Sequence, residues 1–372
     1  MNRAPSSSIR SFLAQPIVKW ALAGVLVAFL AILPMLAINI PGVLPGPTYT
    51  PGTLQLLAFS MLIAALALSY HLIFGVAGLL SFGHALYFAI GAYGLGIALR
   101  HFGLELLPAI VVTFVAGLFV AAAVGALSLR VTGISFAMVT LAFAQAGSVL
   151  IRKNPGKLTG GDEGLTLDTT HIPDFLVGVL QTKNLYWVCL GILVLVFLVT
   201  TWFERSRAGH VVAAARENEL RVRVIGIRPY FVKLLTFAIG GVLATIVGMT
   251  YLLLQSSATQ RLASADFTLT LLVIVVLGGV GYRWGAVIGG VVYTLLDQRL
   301  TAFASSDAVS ALPDILRVPL SQPLFILGTL FILVVLFLPG GIAGVTTRLS
   351  RGGFGKGRSR SNDPREALEE LG

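Results

Sequence analysis

The chain has 372 residues, 56% of them hydrophobic and 11% charged, with a mean hydropathy of +0.90. That composition excludes an ordinary soluble domain, in which about a quarter of residues are charged, and assigns nearly all of the chain to a bilayer. The net charge of +10 does not point to nucleic acid, because the basic residues are spread through loops as a positive-inside bias requires, and the single cysteine, Cys189, leaves no disulfide framework or cysteine metal site.

A span needs about 20 apolar residues, fewer where neighbouring protein covers it. In chain order the sequence predicts ten segments: 20–40, 54–74, 79–99, 107–128, 134–151, 185–203, 234–254, 268–279, 285–296 and 322–338. The first lacks a short apolar core followed by a small-residue cleavage site, so it is expected to remain as a span behind an N-terminal tail, 1–19. The eighth and ninth are short and separated only by the Gly-rich turn 280–284. They read either as two broken half-helices or as one re-entrant hairpin. The expected fold is an all-α polytopic membrane protein of about ten transmembrane or half-membrane helices, in one membrane domain, 20–341.

Sidedness follows from the cations. With the N-terminus inside, eighteen of the 26 Lys/Arg face the cytoplasm, among them Arg130, Arg283, seven in the 204–233 loop and six in the tail. Eight fall outside: Arg100, Arg152, Lys153, Lys157, Lys183, Arg261, Arg299 and Arg317. The opposite orientation would translocate most of the positive charge, so both termini are expected in the cytoplasm. The outer loop 152–184 carries Thr159-Gly160-Gly161-Asp162-Glu163-Gly164, a tight turn without the alternating ligand pattern of a calcium loop. The tail 342–372, rich in Gly, Ser and Arg and then acidic, is expected to be disordered.

All 16 acids lie in loops, in tails or at segment edges such as Asp266 and Asp297. Ion-coupled carriers generally bury an ionisable group along the path. Here only His71 and His84 approach the bilayer interior, which counts against a secondary carrier. Glycines crowd the second and third segments (Gly75, Gly78, Gly83, Gly91) and the eighth and ninth (Gly281, Gly285, Gly289). Such pairing, one broken region per half, suits a path flanked by inverted repeats. It suits plain close packing of helices equally, since Gly285 and Gly289 have GxxxG spacing.

The loop 204–233, ERSRAGHVVAAARENELRVRVIGIRPYFVK, is the one long polar interruption with internal organisation. Val211, Val212, Ala215, Leu220, Val224 and Ile225 fall mostly at helical spacings, and Gly226 followed by Pro229 is a helix stop. A basic, partly amphipathic helix here either receives a soluble partner or lies on the membrane surface.

Reactive chemistry is missing from the sequence. Gly353-Phe354-Gly355-Lys356-Gly357 lacks the spacing and hydroxyl of a phosphate-binding loop, no carboxylate pair or His/Cys cluster has ligand spacing, and Ser81 and His84 have no acid beside them. The chain is therefore expected to be no enzyme and to hold no cofactor or metal. Any ATP it depends on is bound elsewhere.

Several stretches together resemble one family. Gly75-Val-Ala-Gly78-Leu-Leu-Ser81-Phe-Gly83-His84, Thr132-Gly133-Ile-Ser-Phe136 through Thr140 to Gln145, Thr159-Gly160-Gly161, Ala215-Arg216-Glu217-Asn218-Glu219 with Gly226, and Leu277-Gly278-Gly279-Val-Gly281 with Gly285 and Gly289 are similar, in order, to branched-chain amino acid ABC transporter permeases of the LivM type. The resemblance covers about 54–341. It implies the membrane-spanning subunit of an importer in the bacterial inner membrane, working with a second homologous permease, two cytoplasmic ATPases that bind the ATP, and a periplasmic substrate-binding protein. Arg216, Glu217, Asn218 and Gly226 would then belong to the segment that docks into an ATPase groove. Ser81, Gly83, His84, Thr140 and Gln145, polar or small positions within apolar spans, are candidates for the translocation path, and hydrogen bonding between helices is their other reading. The implied cargo is a branched-chain or other hydrophobic amino acid; urea and short amides are served by the same architecture.

Overall fold

The computed structural model describes residues 16–40, 44–178, 181–304, 321–337 and 340–344. The expected tails, 1–19 and 342–372, lie almost wholly outside them.

The chain is built of apolar helices. α1, Pro16–Ile32, ends in a 3₁₀ turn, Leu33–Met35, and the chain after it is not helical. The span expected at 20–40 is therefore shorter at its far end, because Pro34 has no N–H to continue the ladder. α1 is tied to α6 (Thr182–Arg205) by Tyr186, whose hydroxyl donates to the Leu30 carbonyl at 2.7 Å. α2, Pro51–His71, passes into a π-turn, Leu72–Val76, and is buried along almost its whole length. α3, His84–Arg100, follows an irregular stretch, 77–83, so the third helix starts five residues later than expected from the apolar run.

α4 (Leu106–Ser128), α5 (Ile134–Lys153) and α6 agree closely with the predicted segments. α7 (Arg207–Glu217) and α8 (Glu219–Val224) form the 204–233 connection to the long α9, Pro229–Gln255. α10 (Ala265–Gly278) and α11 (Arg283–Ala304) meet at a bend of 118°, and α12 is Pro323–Phe337. By length and composition α2 with its π-turn, α4, α5, α6 and α9 can each cross a membrane, and α10 with α11 makes a further broken pair.

α2 is the axis of the bundle, packed against α6, α9 and α11, while α9 also covers α3 and α4. The approaches are backbone to backbone where small residues face one another. A Cβ on Gly91 would overlap the Thr245 carbonyl, and one on Gly248 would overlap that of Phe88. α3 and α9 can lie this close only because those positions are glycine.

Two links separate the faces of the bundle. On one face, strand β1 (Leu165–Thr166) pairs antiparallel with β2 (Ser257–Ala258), tying the long 154–181 loop to the α9–α10 connection. On the other, the Glu204 carboxylate at the end of α6 stands 3.0 Å from Arg283 Nε at the start of α11. The α10–α11 turn thus reaches the face that carries α7 and α8. Neither α10 nor α11 alone is among the full-length apolar spans, and the two meet there at 118°, as a broken pair.

Candidate functional site

The α6–α9 connection is made by three identifiable stops. Ser206 Oγ accepts from Gly209 N at 3.1 Å and caps α7, and Gly209 lies so close to the Phe203 carbonyl that no Cβ fits. Asn218 Oδ1 accepts from Arg221 N at 3.0 Å and caps α8. α8 ends with Ile227 N donating to Val222 O at 3.3 Å and Gly226 N to Arg223 O at 3.0 Å, around Gly226 at φ +84°. This reciprocal pair about a left-handed glycine is the Schellman stop. The connection is therefore two short helices with a break at Asn218. Asn218 and Gly226 are both used as chain stops, and the signals for both, an N-cap residue and a Gly before Pro, stand in the sequence.

Val212, Ala215 and Val222 face the bundle, whereas Leu220, Val224 and Ile225 are 71, 81 and 71% exposed on the outer side of α8. These three project from a polar connection rather than from a membrane span. They are functional candidates the sequence reading did not single out, although their helical spacing was visible.

Arg216 turns inward. Its Nη1 donates to the Gly75 carbonyl, and its aliphatic stem lies over Gly78, where a Cβ would come 2.7 Å from Arg216 Cγ. Gly78 also needs glycine for its φ of +68°. Glu217 is exposed and has no side-chain partner among the described residues. Glu219 accepts from Lys233 Nζ and Arg223 Nη2, each at 2.6 Å. The Lys233 hydrogen bond above all, then that of Arg223, holds its carboxyl below the ordinary 4.5.

Above α7 lies the irregular 77–83 stretch, and here four of the expected path residues meet. Tyr70 Oη donates to Ser81 O at 2.9 Å, and Ser81 Oγ accepts from Gly83 N at 3.3 Å. Thr140 Oγ1 on α5 accepts from Phe82 N at 3.1 Å and donates to Ala137 O at 2.9 Å. Gly83 packs on the Thr140 carbonyl, 2.7 Å from where its Cβ would stand. Thr268 Oγ1 on α10 accepts from Ala85 N at 3.1 Å. Non-helical backbone inside a membrane bundle must find its partners within the protein. The hydroxyls of Tyr70, Ser81 and Thr140 supply them at 81–83, and that of Thr268 serves the first turn of α3.

His84 opens α3, with Nε2 2.9 Å from Ser69 Oγ. Ser69 spends its own proton on Leu66 O at 2.7 Å, so the network assigns the hydrogen to His84 Nε2. Nδ1 is then a buried acceptor with no partner among the described residues. Gln145 does not join this cluster. It is exposed on α5, on the same side of that helix as Met138 and Val149.

The second glycine region is the α10–α11 bend. Gly278 faces the Gly285 carbonyl, Gly285 would bring a Cβ 2.6 Å from the Gly278 oxygen, and Gly289 packs on Ile274 O. Gly281, by contrast, meets nothing within 4 Å and serves the turn through its φ of +92°, so it is a turn glycine and not a packing one. A cavity of about 490 Å³ brings the two glycine regions together, with Gly75, Gly281, Glu204, Arg216 and Glu217 in its wall.

Comparison with known proteins fits a bundle of this kind. Residues 52–338 match the family described as branched-chain amino acid transport system / permease component. The chain belongs to that family. This permease is 25% identical over 324 residues to the high-affinity branched-chain amino acid transport system permease protein LivM of Escherichia coli, covering 79% of the chain and 71% of LivM. It is 27% identical over 299 residues to the permease protein BraD of Pseudomonas aeruginosa, covering 76% and 91%. With the probable LivM of Methanocaldococcus jannaschii it shares 25% over 313 residues, covering 74% and 88%. The matched region takes in every helix of the permease from α2 through α12, and with them both glycine regions and the α7–α8 connection.

Proposed function

We propose that this permease is the membrane-spanning subunit of an ATP-driven importer in a bacterial inner membrane, moving a branched-chain or other hydrophobic amino acid into the cytoplasm. It pairs with a second homologous permease, takes cargo from a periplasmic substrate-binding protein, and depends on two cytoplasmic ATPases for the nucleotide. It holds no cofactor and catalyses no reaction itself.

One observation carries this reading: the α7–α8 connection grips both glycine regions at once. Arg216 holds the Gly75 carbonyl of the α2 π-turn, and Glu204, in the last turn of α6 three residues before α7, holds Arg283 at the α10–α11 bend. A displacement of this handle acts on both breaks together, as alternating access by rocking of packed helices requires. The outward Leu220, Val224 and Ile225, beside exposed Glu217, give a partner an apolar ridge with charge at its edge, the form that a groove takes up. Arg216, Asn218 and Gly226 set the ridge in place. Along the path, Gln145 faces the cargo from α5, while Ser81, Gly83, His84 and Thr140 shape its inner end. A zwitterion with an aliphatic side chain needs small residues and a few neutral polar groups, and no fixed charge to trap it.

The test is co-purification and uptake with the ATPase subunits in reconstituted vesicles. Replacing Leu220 and Val224 by Ser, or Arg216 and Glu217 by Ala, is expected to abolish ATP-driven uptake while the permease still inserts. Uptake by this chain alone on a proton gradient would overturn the proposal.

A further inference from the structure

The residues between the 77–82 stretch, the α4–α5 turn and α8 enclose a cleft of about 610 Å³, distinct from the smaller cavity at the glycine bend. Four cations stand in its wall, Arg130, Arg216, Arg223 and Lys233, against one acid, Glu219. Both Glu219 oxygens are taken, one by Arg223 and one by Lys233. Arg216 gives one N–H to a backbone carbonyl and has no carboxylate partner among the described residues. Arg130 is exposed and has no side-chain partner among the described residues. The cleft therefore holds more positive charge than the protein neutralises, and a bound anion would complete it.

The opposite wall is apolar and belongs to a membrane helix. Ile134 and Met138, one turn apart at the start of α5, are 79 and 54% exposed, and Val131 beside Arg130 is 38% exposed. Cations at the end of a span with open apolar surface running away from them match the two halves of one molecule type. We propose that this cleft binds an anionic phospholipid, its phosphodiester between Arg130 and Arg216 and an acyl chain along Ile134 and Met138. A soluble phosphate offers the same headgroup chemistry without using the apolar wall. Ile134 and Met138 lie on the α5 face that carries Gln145, so the lipid would border the inner end of the proposed path. Its retention is read without ATPase or cargo, so the proposal can fail while the transport reading stands.

Native mass spectrometry of the full chain, delipidated in detergent, tests it with added phosphatidylglycerol or phosphatidylcholine. Phosphatidylglycerol is expected to be retained in preference. Since one Lys or Arg near a lipid surface contributes about 1 kcal/mol, Arg130→Gln should weaken retention about fivefold, and Arg130→Lys should restore it. Arg228, an exposed cation outside the cleft wall, is the control, and Arg228→Gln should leave retention unchanged. Equal retention of phosphatidylcholine would overturn the proposal, as would an equal loss in Arg228→Gln. Displacement of the lipid by millimolar inorganic phosphate would also overturn it, marking the cleft as a free-anion site.

Discussion

Arg283 Nε stands 3.0 Å from one oxygen of Glu204, and His71 Nε2 lies 3.4 Å from the other. Three elements far apart in sequence, the end of α2, the end of α6 and the start of α11, thus converge on a single carboxylate directly before the α7–α8 handle. The Arg283 and Glu204 side chains are 28 and 21% exposed. A double-mutant cycle of Glu204→Gln and Arg283→Gln, read by unfolding in detergent, is expected to return a coupling of up to about 1 kcal/mol, the usual scale for a partly exposed pair. Strictly additive effects would remove the mechanical link.

The glycines of the α10–α11 bend divide into two kinds, and substitution should separate them. Gly285 faces the Gly278 carbonyl oxygen at 2.6 Å from a would-be Cβ, so rigid backbone must move to admit any side chain. Gly285→Leu is expected to prevent assembly, visible as loss of the monodisperse peak on size-exclusion chromatography. Gly281 has open space but a φ of +92°. Gly281→Ala should cost roughly 1–2 kcal/mol through the left-handed backbone alone and still yield folded protein. A Gly285→Leu variant that assembles as well as Gly281→Ala would refute the close-contact account.

Most of this division lay hidden in the sequence. The GxxxG spacing of Gly285 and Gly289 was legible, yet the same composition placed Gly281 beside them as a packing residue, because a string of letters does not distinguish a positive φ from a tight contact. Helices of full length, such as α4, α5 and α6, follow from apolar runs bounded by polar residues. α1 and α3 do not, because Pro34 and the hydroxyl-bonded stretch 77–83 interrupt hydropathy that stays high throughout. The inward turn of Arg216 onto Gly75 and Gly78 was illegible for another reason: it depends on two segments about 140 positions apart meeting, as the Arg216–Gly75 bond does across 141 positions.

Thr140 gives a direct way to tell a structural hydroxyl from one that only faces the cargo. Its Oγ1 is used in both directions, accepting from Phe82 N and donating to Ala137 O. Thr140→Val keeps the shape but leaves the half-buried Phe82 N–H without this partner, at a cost of up to about 1–3 kcal/mol. Thr140→Ser keeps the hydroxyl and should retain both stability and uptake. If Val and Ser behaved alike, the hydroxyl would not be holding the 77–83 stretch.

Glu219 makes the handle sensitive to acid. Its pKa in the folded chain is lowered, first by the hydrogen bond from Lys233 and then by that from Arg223, relative to an ordinary 4.5. A carboxyl with a depressed folded pKa adds stability that is fully present above its unfolded value and is lost as pH falls through the folded one. The joint of α8 and α9 should therefore be tight at neutral pH and loosen below about pH 4.5, the window set by that shift. Hydrogen exchange of the 219–233 amides, compared at neutral and acid pH after correction for intrinsic rates, is expected to show protection falling with acid in the unmodified chain. Glu219→Gln should be less protected at neutral pH, with much of that fall gone. Lys233→Met should act in the same sense and more strongly than Arg223→Met, because Lys233 makes the larger contribution and its side chain is 13% exposed against 61% for Arg223. An acid response that survives unchanged in Glu219→Gln would assign the titration to another group.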